Sequence, residues 1–252
     1  MPEVLDLTFF AFAIPAVIFA GISKGGFGSG AAFAATPLLA LILDPGAAIG
    51  LMLPLLMLMD VTALKPYWRK WDTPSAWALV LGAVPGVALG AALYSVANPD
   101  VFRLLIGLIA VGFVAFQLAR ANGLIAPAAR PMSGKLGAFW GVVAGFTSFI
   151  SHAGGPPAAV YLLSRKLDKT TFQSTTVIVF WAINLLKFVP YFALGIFTWQ
   201  TAKADLLLIP FAVLGVWIGV HLHHKMSERL FFGFTYLFLI LTGTKLIWEG
   251  LT

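Results

Sequence analysis

Apolar residues run along the chain in ten segments, broken by short polar or glycine-rich stretches. They cover about Leu7 to Ile22, Ala31 to Leu43, Ala47 to Leu64, Ser75 to Val96 and Val101 to Ala119. After a polar stretch from Arg120 to Lys135 they resume at Leu136 to Ile150, Pro156 to Leu163, Phe172 to Phe197, Ala204 to Leu222 and Leu230 to Trp248. Runs such as Leu51 to Met59 show no alternation of apolar and polar residues, which excludes a membrane β-barrel and predicts helices. Glycine and proline inside the runs fit helices in lipid, where both are tolerated.

A helix needs about 20 apolar residues to cross a bilayer. The second and seventh segments are too short, and their predecessors, the first and sixth, are marginal. Each short pair is joined by a glycine-rich break, Gly25-Gly26-Phe27-Gly28-Ser29-Gly30 in one case and Ser151-His152-Ala153-Gly154-Gly155-Pro156 in the other. Each pair therefore reads as a re-entrant or broken-helix hairpin with its tip inside the membrane. Non-helical backbone persists at that depth only when it is buried in protein or lines a watery cavity. The predicted fold is an all-α polytopic membrane protein with a first repeat over 1–119, a cytoplasmic linker over 120–135 and a second repeat over 136–252.

Composition agrees. The 252 residues are 60% hydrophobic and 10% charged, with a mean hydropathy of +0.94. Soluble domains carry about 25% charged residues, so the solvent of this surface is lipid. The net charge of +6 does not point to nucleic acid, because the basic residues lie in short loops between apolar segments, as the positive-inside rule requires. With no cysteine, disulfides and thiolate metal sites are excluded. Glu3 and Asp6 give an acidic start, unlike the basic start of a cleavable signal.

The two halves match at a constant spacing of 124 residues. Ala20-Gly21 falls on Ala144-Gly145, Gly30 on Gly154, Ala34-Ala35 on Ala158-Ala159, and Leu38-Leu39 on Leu162-Leu163. The matches hardest to obtain by chance are Leu43-Asp44 with Leu167-Asp168, Pro66-Tyr67 with Pro190-Tyr191, and Asp60 with Asn184. Charge sets the orientation of the halves. Lys65, Arg69 and Lys70 follow the third segment, whereas the matching stretch 189–196 has no Lys or Arg; Arg165, Lys166 and Lys169 flank Asp168, whereas Asp44 has no basic neighbour. Matched loops thus lie on opposite sides, and the second repeat is expected to be inverted with both termini outside. Two fully crossing hairpins would instead make the repeats parallel and spoil the charge bias at one end.

An internal repeat in a membrane protein commonly builds a transporter around a central site. The glycine breaks precede short helices expected to start near Ala31 and Pro156, and helix N-termini carry partial positive charge and free N–H groups. Pro156 and Pro157 suit a first helical turn. Two such ends meeting at mid-membrane would bind an anion, with Gly25, Gly26, Gly28, Ser29, Gly30, Ser151, Gly154 and Gly155 around it. Lys24 borders the first break; a membrane lysine marks function by default, the alternative being snorkelling to an interface. His152 could donate to an anion or take up a coupled proton, or serve as a structural histidine bonded to loop carbonyls. Asp60 reads as the only acid in the hydrocarbon region, able to pair with Lys24 or Lys187, to carry a proton or to hold helices together. Asn184 and Lys187 share a helical face, as do Tyr67 and Tyr191 with their respective partners seven residues earlier. Pro54 and Pro190 are expected to kink their helices. His221, His223 and His224 read as a solvated cytoplasmic cluster rather than a metal site.

The pattern Gly21-x-x-Lys24-Gly25-x-x-Gly28-x-Gly30 followed by Thr36-Pro37-Leu38-Leu39 resembles the first motif of the TauE/SafE sulfite exporter family. Ala144-Gly145-Phe146, His152-Ala153-Gly154-Gly155-Pro156-Pro157 and Tyr161-Leu162-Leu163 are similar to its second, and Asn184-Leu185-x-Lys187 with Pro190-Tyr191 adds to the likeness. The resemblance implies two membrane halves that move sulfite or organosulfonates across the bacterial inner membrane. It carries Lys24, Gly25, Gly28, Gly30, Gly154, Gly155 and Pro156 over as motif positions. The family's second motif is richer in glycine where Ser151 and His152 stand here, a departure that bears on substrate choice.

The expected function is secondary transport of a small sulfur oxyanion by alternating access, with no cofactor, no metal and no direct use of ATP. A coupling proton or cation and a homodimer remain open. The rivals are an anion channel with the same helix ends and an intramembrane enzyme pairing Ser29 with His152. Against the enzyme, Phe27 stands where a rhomboid-type pattern wants glycine.

Overall fold

Side-chain caps set where most of the helices begin. The structure is a computed structural model describing residues 6–27, 31–125, 131–222 and 228–252. Asp6 accepts from the Phe9 amide and opens α1 (Leu7–Ile22), which runs on as a π-helical turn over Ser23–Phe27. A 3-10 turn (Ala32–Ala34) leads into the short α2 (Ala35–Leu39). Asp44 caps α3 (Pro45–Leu64), with proline in the first turn, where no N–H is needed. A 3-10 turn (Lys65–Tyr67) follows, then α4 (Thr73–Val96) capped by Asp72 and α5 (Pro99–Ala121) capped by Asn98. Ser133 caps α6 (Gly134–Ser151), followed by α7 (Gly155–Ser164). Asp168 caps α8 (Lys169–Ala193), and α9 (Trp199–Leu222) and α10 (Glu228–Leu251) complete the chain. Among the described residues there is no strand.

Seven helical runs are long and apolar enough to cross a membrane: Leu7–Gly26, α3 with its 3-10 extension, α4, α5, α8, α9 and the Phe231–Leu251 part of α10. The chain is therefore an all-α polytopic membrane protein. The first segment departs from expectation. It does not stop at Ile22, because the π turn carries it to Phe27, so Lys24, Gly25 and Gly26 lie inside a helical run. At 1.5 Å per residue, the 18 residues of α6 extend about 27 Å, close to the roughly 30 Å hydrocarbon core. The helix expected near Ala31 begins only at Ala35, and that expected near Pro156 begins at Gly155.

The helices of the two halves interleave, and one buried core draws on both. α3 and α8 run antiparallel: Gly50 lies against the Ile196 carbonyl, Asn184 bonds Asp60, and Ser174 donates to the Tyr67 carbonyl. α5 and α10 are likewise antiparallel, with Gly107 beside Gly243 and Gly250 beside Asp100. The remaining long contacts are exchanged between halves, α1 against α9 and α6 against α4. Three sequence matches acquire structural reasons. Asp44 and Asp168 are both N-caps, of α3 and of α8. The Tyr67 hydroxyl donates to the Gly25 carbonyl at 3.5 Å and the Tyr191 hydroxyl to the Phe149 carbonyl at 2.7 Å, each across 42 residues. Asp60 and Asn184, 124 residues apart, touch each other directly.

Small residues make the close crossings. Lipid tails are as apolar as leucine, so helices in a bilayer associate through tight packing rather than escape from water. A Cβ on Gly82 would sit 2.0 Å from the Ala138 carbonyl oxygen, and one on Gly86 would sit 2.1 Å from that of Val142. On α6, Gly141 and Gly145 press on the Leu79 and Ala83 carbonyls. Alanine normally stabilises a helix relative to glycine by about 0.5–1 kcal/mol. At Gly82 the sign is expected to reverse, with Gly82→Ala losing about 1–3 kcal/mol through overpacking. Gly112→Ala, where nothing lies within 4 Å, is expected to be neutral or stabilising. Thermal unfolding of the two variants in detergent checks this; equal behaviour would remove the tight α4–α6 crossing from the account.

Candidate functional site

The centre of the bundle holds charges that lipid-facing helices cannot tolerate. Lys24 reaches inward from the π turn, a deformation often found at functional positions. Its ammonium pairs with the Asp60 carboxylate of α3, and both groups are almost fully buried. The Asn184 amide of α8 donates to the other Asp60 oxygen at 2.7 Å. Gln173, also on α8, donates to the Lys24 backbone carbonyl at 3.0 Å and fixes the turn from behind. The sequence left Asp60 a choice of lysines, and the fold gives it Lys24.

Lys187, fully buried one helical turn beyond Asn184, pairs elsewhere. Its Nζ lies 2.7 Å from His152 Nδ1 and donates to the Ser148 carbonyl at 3.0 Å. It also stands 5.9 Å from the centre of the Tyr191 ring. His152 ends α6 with φ of 57°, its amide donating to the Ser148 carbonyl and that of Ala153 to the Thr147 carbonyl. A glycine would adopt this left-handed backbone freely, whereas other residues pay about 1–2 kcal/mol. The ring occupies the strained position to some purpose: its Nε2 lies 3.0 Å from the Ile49 carbonyl of α3. With both ring nitrogens engaged, His152 has no free nitrogen with which to activate a serine.

Lys24, Ser148, His152 and Asn184 surround a small cavity closed by Ala32, Phe33, Leu56 and Phe180. The cavity has room for about one water, too little for a sulfur oxyanion. Two larger spaces, of about 240 and 600 Å³, are open apolar grooves containing no charged residue. Size alone would select them, but the charged chemistry lies in the small cavity.

The structure thus gathers Lys24, Asp60, His152, Asn184 and Lys187, and it gives other sequence candidates different surroundings. Gly25 and Gly26 pack flush on the Val216 and Gly219 carbonyls of α9. Gly154 packs on the Ala144 carbonyl and Phe180, and Gly155 begins α7. The Ser151 hydroxyl bonds back to the Thr147 carbonyl of its own helix. Tyr67 lies beyond α3, and Tyr191 lies within α8. Pro54 and Pro190 both sit inside helices. Gly28, Ser29, Gly30, His223 and His224 lie outside the described residues. Among the described residues no group of His, Cys, Asp or Glu could hold a metal. His221 bonds the Trp217 carbonyl.

One expectation about the polar residues needs correcting. Asp60 is not the only acid among the apolar segments: Asp205 lies within α9, buried, and its Oδ1 has no hydrogen-bond partner among the described residues. It is the second residue of its apolar segment, and the neighbouring Lys203 makes that position look like an interface in sequence. The Ser148 and Ile49 carbonyls and Gln173 are not marked in the sequence, since backbone acceptors and a glutamine eight residues before Trp181 carry no local signal of a site.

A multi-pass helical bundle with a buried Lys24–Asp60 pair beside a small internal cavity suits a membrane transport protein. The chain belongs to the family described as Sulfite exporter TauE/SafE, whose model matches residues 13–246. No curated protein and no solved structure matches the chain. Family membership makes this a multi-pass membrane transporter for small anions.

Removing one partner of a buried ion pair strands the other charge, at a cost of about 3–5 kcal/mol. Asp60→Leu is expected to lose that much stability, and the double variant Lys24→Met/Asp60→Leu less than the sum of its two singles. Unfolding titrations of all three in detergent measure the coupling, and strict additivity would rule out the pairing.

Proposed function

We propose that this protein is a secondary transporter of a small sulfur oxyanion, sulfite or an organosulfonate, in a bacterial inner membrane. One observation carries the reading. Lys24 and His152 line one small buried cavity, Lys187 is hydrogen-bonded to His152 beside it, and the neighbouring carboxylate, Asp60, is paired with Lys24. Burying charge in an apolar interior is expensive unless a partner or ligand compensates. An anion with several oxygens is the ligand that such a cluster of donors suits, with Lys24, Asn184, His152 and Lys187 as its contacts. Gly28, Ser29 and Gly30, joined to the Lys24 turn in sequence, complete the proposed binding set together with Gly25, Gly26, Ser151, Gly154 and Gly155 as its scaffold. Tyr67 and Tyr191 act as gating groups, and Asp60 holds Lys24 in place.

The proposed mechanism is alternating access between two inverted repeats. Antiparallel pairing of α3 with α8 and of α5 with α10, each joining matched elements, supports an axis lying in the membrane plane. The cavity is too small for an oxyanion, so binding requires the elements around Lys24 and His152 to separate. The tyrosine hydroxyls tie the end of α3 to the π turn and α8 to α6 at equivalent places of the two halves and suit the role of gates. No observation favours the enzyme reading, and the carrier and channel readings separate by experiment.

Purified protein in liposomes is expected to take up labelled sulfite or methanesulfonate, and uptake is expected to rise when unlabelled anion is loaded on the opposite side. A channel gives no such stimulation. Lys24→Ala and His152→Ala are each expected to lower flux at least about tenfold, the loss of one buried charged hydrogen bond to the anion. Unchanged flux in both folded variants would remove this site.

A further inference from the structure

The hydrogen-bond geometry around Lys187 identifies a proton site. The Ile49 carbonyl can only accept, so at 3.0 Å from it His152 Nε2 carries a hydrogen. With the Lys187 Nζ donor 2.7 Å away, His152 Nδ1 is assigned the lone pair of a neutral ring. Lys187 donates one N–H to that nitrogen and a second to the Ser148 carbonyl. A neutral amine has two N–H groups, and both are used. An ammonium would have a third, and among the described residues no further acceptor faces it. Asp60 is committed to Lys24 and Asn184, and the Tyr191 ring at 5.9 Å gives only a weak cation–π contact.

We propose that the Lys187–His152 pair is neutral in this closed arrangement and takes up one proton together with the transported anion. The inference rests on the transport reading above. Protonation of the Lys187 amine creates one positive charge and one new N–H donor, both of which an anion oxygen satisfies. The lone pair of Nζ receives the proton from water on the side to which the site opens. On the other side the anion leaves and the ammonium returns that proton to water. The net movement is one monoanion and one proton in the same direction, carrying no charge. A buried cation without a counter-ion is strongly disfavoured, so neither ligand crosses readily alone.

The surroundings leave the pair as the titrating unit. The charged groups acting on it are Lys24 from the π turn and Asp60 from α3, which are paired with each other. α6 adds the Ser148 carbonyl and α3 that of Ile49. α8 adds Tyr191, whose hydroxyl is bound to the Phe149 carbonyl. Tyr94 of α4 stands behind Phe149.

The test uses methanesulfonate, a permanent monoanion that brings no proton of its own, whereas sulfite can cross as bisulfite and mask the effect. Liposomes holding the protein and an internal pH dye are given methanesulfonate at fixed membrane potential. Internal acidification matching the anion taken up is expected, with uptake insensitive to the potential and an accumulation of about tenfold per pH unit imposed, since a pH unit of proton gradient is worth a factor of ten. Lys187→Arg, always charged, is expected to abolish the proton movement and make the remaining flux sensitive to potential. Uptake without acidification in the native protein overturns the proposal while the transport reading stands. So does proton coupling that survives in Lys187→Arg, which would assign the proton to another group such as Asp60 or Asp205. If neither methanesulfonate nor sulfite is taken up or exchanged, the transport reading itself fails. Should Lys187→Arg not fold, the native stoichiometry decides alone.

Discussion

The Lys24–Asp60 ion pair, with Asn184 on its second oxygen, is the constraint around which the rest of the bundle is arranged. Neither charge can stand alone in the bilayer interior, so α1, α3 and α8 must meet where these side chains meet. The pair aims Lys24 at the cavity, and it uses up the carboxylate that would otherwise neutralise Lys187. Lys187 consequently turns to His152, whose strained backbone and contact with Ile49 tie the end of α6 to α3. One pairing choice therefore decides which lysine is neutralised and which takes the histidine.

Close helix approach makes this possible. Gly25 and Gly26 rest directly on α9, and the glycines of α4 and α6 interlock, so backbones come near enough for short side chains to join across them. The glycines around Lys24 serve packing as much as any ligand. A π turn in a glycine-weakened stretch keeps Lys24 within the helical run while redirecting its side chain, a compromise that an α-helix or a fully open loop would not offer.

Much of this was legible in the residues. Runs of apolar residues located the helices to within a few positions, because lipid imposes length and composition directly. The rare matched pairs were informative because each serves the same purpose in both halves: Asp44 and Asp168 as caps, Tyr67 and Tyr191 as cross-helix donors, Asp60 and Asn184 as one contact. Lys24, His152 and Lys187 stood out because polar groups in apolar segments are rare. Less visible were groups whose role depends on distant neighbours. Gln173 supports a carbonyl on α1, the Ile49 carbonyl fixes a histidine on α6, and Asp205 hides at the start of an apolar segment next to a lysine. The glycine-rich stretch also ends the first helix too early in sequence, since the Gly25-Gly26 pair signals a break and is held helical against α9.

By itself the sequence determined that the chain lives in a membrane, that it is helical, that its halves are related at a spacing of 124 residues, and which few polar residues lie deep inside. Those properties follow from the cost of transferring each residue into lipid, which is local. The tertiary structure alone decided the partners: Lys24 with Asp60, Lys187 with His152, and a cavity the size of one water between them. Pairing depends on distances between helices far apart in the chain, and those distances are set by packing that no single segment contains.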